Sequence, residues 1–158
     1  MKKYIKLIRG ILIIAIAAVV VTANAQDAER SQVNHWVTAF FQSFNEDLMR
    51  GDMDAWMENW AEQAERITPM GNAKGKAQIR QLYISLSQRY EAMVQEITGT
   101  IIEGRNASVE LNTVGVHRET GIKVSMPNVA VLTFNEQGKV TSAHVYLDMK
   151  NIESQLVR

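Results

Sequence analysis

The chain has 158 residues, 17 Lys and Arg against 17 Asp and Glu, and no cysteine. Without cysteine there are no disulfides, no thiolate metal ligands and no acylated N-terminal Cys, so stability must come from packing. One core of ordinary size fits this length, and two do not.

The first residues, "MKKYIKLIRG", carry Lys2, Lys3, Lys6 and Arg9 and lead into the apolar run "ILIIAIAAVVV". That run is short for a bilayer span and reads as the h-region of a signal peptide, with Ala23-Asn24-Ala25 as the small-residue cleavage signal. Cleavage after Ala25 would send residues 26–158 to the periplasm or medium; an uncleaved anchor is the other reading. Four of the 17 basic residues would leave with the signal and none of the 17 acidic ones, leaving 13 against 17. A mildly acidic chain without a Lys/Arg cluster does not suit a nucleic acid or an anionic membrane.

From Val33 to Leu48 the apolar residues Val33, Trp36, Val37, Phe40, Phe41, Phe44 and Leu48 recur at three and four, which predicts an amphipathic helix. Asp52 is a plausible N-cap for a second helix, with Met53, Trp56, Met57, Trp60, Ala61 and Ala64 on one stripe. Pro69, Gly71 and Gly75 then break the period, so 66–70 is expected as a short strand followed by a loop. A third helix is expected from about Lys76 to Met93, with Ile79, Leu82, Tyr83, Leu86, Tyr90 and Met93 inward. Beyond it the period becomes alternating, and strands are expected near 94–103, 107–117, 122–135 and 139–149, separated by "EGRN", "RETG" and "NEQG". Helices followed by an antiparallel meander predict an α+β domain with the helices on one face of the sheet.

The words "GDMDAWMENWAEQAERITPMG", "GKAQIR", "VGVHRETG", "MPNVAVLTFNEQGKV" and "YLDMKNIESQL", in this order, resemble the nuclear transport factor 2-like superfamily, within it the SnoaL-like polyketide cyclase and ester cyclase branch. The resemblance implies a cone-shaped fold, three N-terminal helices packed on a curved antiparallel sheet around a pocket. It fixes the chemistry much less, because this fold hosts isomerases, dehydratases, epoxide hydrolases, cyclases and proteins that only bind.

In the cyclases an aspartate near the end of the last strand moves the proton, and Asp148 of "YLD" matches that place. The resemblance thus implies Asp148 as catalytic acid/base, with its pKa raised by an apolar wall of Tyr146 or Trp36. The residue type alone equally allows Asp148 to cap the segment "MKNIESQL". His144, Tyr146 and Asp148 alternate on one strand and would share a face, which makes His144 a candidate catalytic partner and Tyr146 a substrate-binding neighbour. His117 is a second candidate at a strand end, where a rim position without chemistry is the plainer reading. Tyr83, Tyr90 and Trp36 are expected to bind substrate, Trp56 and Trp60 to pack. His35, His117 and His144 lie on three separate elements without a ligand spacing, so no metal is expected, nor any other cofactor.

If that polar row faces the pocket, Ala143, Val145, Leu147 and Met149 must face outward and need cover, which predicts a homodimer packed sheet to sheet. If the rows lie the other way round, the site reading fails. The function expected is binding of a small apolar molecule, with cyclisation, isomerisation or dehydration by Asp148 as the catalytic version. A non-catalytic periplasmic binding or interaction protein is the alternative.

Overall fold

The computed structural model describes residues 25–157. The expected signal peptide therefore lies, apart from its last residue, outside the described residues. The elements are α1 (25–50, with a π-helical stretch Phe44–Leu48), α2 (Met53–Met57), β1 (Trp60–Thr68), β2 (Gly71–Lys74), α3 (Lys76–Arg89), β3 (Tyr90–Glu103), β4 (Asn106–His117), β5 (Lys123–Phe134), β6 (Val140–Leu147) and α4 (Met149–Leu156). The six strands form one sheet in the order β2-β1-β6-β5-β4-β3. The meander β3 to β6 is antiparallel throughout, while β1 returns parallel to β6. Among the described residues no helix is long and apolar enough to cross a membrane.

The apolar stripe of α1 is buried as its period demands except at the half-buried Trp36, with Val33, Val37, Phe40, Phe41, Phe44 and Leu48 all entering the core. Asp52 does cap α2, its carboxylate accepting from the Ala55 N–H at 3.0 Å. The helix then ends at Met57, three residues short of the Trp60 position on the expected stripe. Asn59 closes it, its Nδ2 donating to the Trp56 carbonyl at 2.9 Å and to Ser43 Oγ at 2.7 Å. Trp60, Ala61 and Ala64 thus belong to a nine-residue strand, not to a helix. The segment expected as a loop contains β2, which pairs with β1 from Glu65–Lys74 to Thr68–Gly71. The third helix stops at Arg89, and Tyr90 and Met93 open β3.

Two register shifts between β3 and β4, at Glu91–Val94 and Ile97–Gly99, and one between β1 and β6 bend the sheet. Its concave face carries Ala107, Val109, Leu111, Val124, Met126, Ala130, Leu132, Val140 and Ala143 into the core under α1 and α3. An aromatic cluster fills the centre: Trp56 meets Tyr83 and Phe44 edge to face at centroid distances of 5.1 and 5.7 Å, and Phe40 lies 4.8 Å from Trp56. Such contacts add about 0.5–1.5 kcal/mol each beyond their buried area.

Candidate functional site

The orientation of β6 decides the site. Ala143 is buried, and Ala143, Val145 and Leu147 line an interior cavity between the sheet, α1, α3 and α4. Since neighbours on a strand face opposite ways, His144 and Tyr146 point to the outer face. There Tyr146 stands opposite Val129 and His144 opposite Val131, and Tyr146 is 59% exposed. Asp148 is exposed and caps α4, accepting from the Asn151 N–H at 3.1 Å. The row expected to form the active site is therefore on the wrong side of the sheet, and Asp148 fills the capping role that its type also allowed. The physical reason is burial: the cavity takes the apolar row Ala143, Val145 and Leu147 and leaves the polar one to water. With that row inside, the ground for a sheet-to-sheet dimer through Val145 and Leu147 is gone.

Trp36 and His117 lie away from the cavity as well. Trp36, half-buried, packs on Phe134 with ring centroids 5.9 Å apart and covers the turn between β5 and β6. His117 stacks edge to face on Tyr90 at 5.6 Å, and its Nδ1 is 3.1 Å from Thr120 Oγ1. His35 is exposed on α1, so the three histidines remain on three separate elements. Tyr83 and Tyr90 do line the cavity, and both are buried. Trp56 and Trp60 are buried packing residues, their indole N–H groups without a hydrogen-bond partner among the described residues; Trp60 also touches the cavity.

The cavity has about 70 Å³ of room. That is several times what one water needs and roughly half of the 150 Å³ that admits benzene. Four methionines, Met70, Met93, Met126 and Met149, sit on its wall, with Met70 exposed at the rim. Unbranched, mobile thioether side chains let such a cavity widen round a guest at small cost. The remaining wall is mostly Phe, Leu, Val and Ala, and among the described residues it contains no Asp, Glu or His.

Besides Gln95 and Tyr90 on β3, polar groups enter at two places. On β4 and β5, Asn128 Nδ2 donates to Thr113 Oγ1 at 2.8 Å and to the Met126 carbonyl at 2.9 Å. On β1, Arg66 is buried, its Nε donating to the Tyr83 hydroxyl at 3.2 Å and its guanidinium carbon 5.1 Å from the centroid of the same ring. Arg66 reaches the interior because it pairs with Ala143 on β6 and Ala73 on β2, and alternates with Ala64 and Thr68. Burial pushes the Tyr83 phenol above its ordinary pKa, while the Arg66 charge and hydrogen bond pull it back.

Arg66, Thr113 and Asn128 were not among the expected site residues. Arg66 had a signal: "AERIT" alternates Ala64, Arg66 and Thr68 on one row, visible once 60–68 is read as a strand. Thr113 and Asn128 had none, because a small polar residue on an inward row looks like any other.

Solved structures share the fold at low identity. A candidate polyketide cyclase from Xanthomonas campestris pv. campestris is 20% identical, covering 81% of this chain and 98% of its own, with a TM-score of 0.71. The epoxide hydrolase/cyclase-like enzyme SalBIII, of pyran ring formation in the polyether salinomycin, is 20% identical over 78% of this chain and 95% of its own, with a TM-score of 0.67. An NTF2-like protein from Burkholderia xenovorans LB400 is 23% identical over 79% of this chain and 95% of its own, with a TM-score of 0.65. A comparison with curated proteins found no match. The SnoaL-like domain model matches residues 37–143, from the middle of α1 to the middle of β6. The chain accordingly belongs to the SnoaL-like domain family, on an α+β fold of the NTF2-like, ketosteroid isomerase-like kind.

Proposed function

We propose that this SnoaL-like domain is an exported protein that binds a small apolar molecule in the interior cavity without converting it by carboxylate acid–base chemistry. The observation that carries the reading is the wall of that cavity: apolar and methionine-rich, and among the described residues free of Asp, Glu and His. Carboxylate or imidazole acid–base catalysis of cyclisation, isomerisation or dehydration needs that group within hydrogen-bond reach of the reacting atom. The Asp148 carboxylate is instead engaged at the N-terminus of α4. Its relatedness to polyketide cyclases and epoxide hydrolase-like enzymes supports the pocket and not the reaction, since the same fold carries many activities. Export is supported by the basic and apolar leader before Gln26.

Titration with 1-hexanol, followed through the emission of Trp60 at the cavity wall, should give saturable binding with one site per chain. A panel of carbonyl compounds incubated with the protein should be recovered unchanged. Enzymatic turnover of any of them would overturn the non-catalytic reading, and absence of hexanol binding would overturn the ligand site. Mass spectrometry of the protein from the periplasmic fraction should give a chain starting at Gln26.

A further inference from the structure

A buried guanidinium without a counter-charge is the least explained group in the interior. Arg66 is only 6% exposed, and its Nη1 is buried with no hydrogen-bond partner among the described residues. Each ion pair found among them joins residues other than Arg66. A lysine so placed could lose its proton, but a guanidinium keeps its charge at any pH a protein survives. Buried charges are expensive unless paired, and here the described residues supply only the Tyr83 hydroxyl oxygen and the face of its ring.

Tyr83 adds a second donor. Its oxygen accepts from Arg66 Nε, so its own O–H is free to point elsewhere, and both residues line the cavity. Two adjacent donors, one cationic, form a recognition unit for a carboxylate. A single guanidinium balances one negative charge, and a dianionic phosphate would leave a second charge buried. Next to this unit the wall turns apolar, with Trp60 and Phe44 rings 5.9 and 6.4 Å from that of Tyr83.

We infer that the cavity takes a short apolar monocarboxylate, its carboxylate on Nη1 of Arg66 and the hydroxyl of Tyr83 and its hydrocarbon part against Trp60 and Phe44. The inference rests on the apolar-ligand reading of the same cavity and adds the charge and polarity of the ligand. The narrow cavity limits the hydrocarbon to a few carbons, with more only as the methionines move aside.

The test is calorimetric titration at neutral pH with hexanoate, 1-hexanol and hexylammonium, on the wild type and on Arg66→Met and Arg66→Lys. Hexanoate should bind the wild type about 10- to 100-fold more tightly than hexanol, the worth of hydrogen bonds to a charged group. Arg66→Met should lose that margin and keep hexanol, and Arg66→Lys should fall between, retaining the charge without the fork. Equal binding of hexanoate and hexanol by the wild type, preference for hexylammonium, or undiminished hexanoate binding by Arg66→Met would overturn the carboxylate while leaving the apolar site standing. Binding of none of the three would overturn both. Should Arg66→Met fail to fold, the wild-type comparison of acid with alcohol decides alone.

Discussion

Arg66 Nε and the Tyr83 hydroxyl, 3.2 Å apart, join β1 to α3 through the interior, across a ring that also faces the guanidinium. The contact leaves a permanent charge in an apolar wall, which is a cost to the folded state and not a support. Replacing Arg66 by Met should therefore stabilise the ligand-free protein by about 1–3 kcal/mol, the gain from exchanging a buried, poorly paired charge for a side chain of similar volume. Tyr83→Phe should go the other way, by about 1–3 kcal/mol, because it removes the one acceptor that the described residues offer Arg66. Urea denaturation of both variants checks the signs, and a destabilised Arg66→Met would show that the guanidinium is satisfied in the fold.

Tyr83 also contributes to the alkaline limit. Burial raises its folded-state pKa above the ordinary tyrosine range, against the pull of Arg66. The unfolded chain therefore loses that proton first. Stability is fully present below the unfolded pKa and is lost as pH rises through the folded one. Urea midpoints should fall as pH climbs above about 10, the ordinary tyrosine value, and Tyr83→Phe should flatten that fall.

Asp148 is expected to matter to stability and not to binding. Its carboxylate caps α4 through the Asn151 N–H, and α4 contributes the buried Ile152 to the cavity wall. Asp148→Ala should cost about 1 kcal/mol, whereas Asp148→Asn should cost a few tenths at most, since Asn caps about as well. Hexanol affinity of Asp148→Asn should equal that of the wild type. A large loss of affinity in that variant would return Asp148 to the site.

Gly138 and Trp36 are matched in the turn between β5 and β6. Gly138 has φ +74°, and a Cβ built on it would lie 2.5 Å from Trp36 Nε1. Gly138→Ala should cost about 2 kcal/mol from the left-handed backbone alone, and more if the indole is held. A thermal melt measures the loss, and a red shift of tryptophan emission would report Trp36 moving into water.

Much of the order of elements could be read from periodicity, and where it failed the reason is local. Trp56 and Trp60 stand four apart, the spacing of one helix face, yet Asn59 turns the chain between them by bonding the Trp56 carbonyl. Asn59 closes the helix through side-chain bonds to Trp56 and Ser43, and nothing in the hydrophobic pattern announces such bonds. Asp52, in contrast, was legible as a cap because its role depends only on residues three positions away. The "EGRN", "RETG" and "NEQG" breaks were legible for the same reason, their glycines Gly104, Gly121 and Gly138 all taking positive φ.

The candidate site was less visible. Alternation in "SAHVYLDM" says that two rows face opposite ways, and both assignments satisfy it equally. Sequence by itself determined the α+β class, the buried stripe of α1, the meander with its turns, and the family resemblance, because these depend on spacing along the chain. Only the tertiary structure decided which face of β6 looks inward and that Arg66 has no counter-charge among the described residues. Both depend on what packs opposite a residue, and burial against α1, α3 and α4 put Val145 and Leu147 inside and left His144, Tyr146 and Asp148 out.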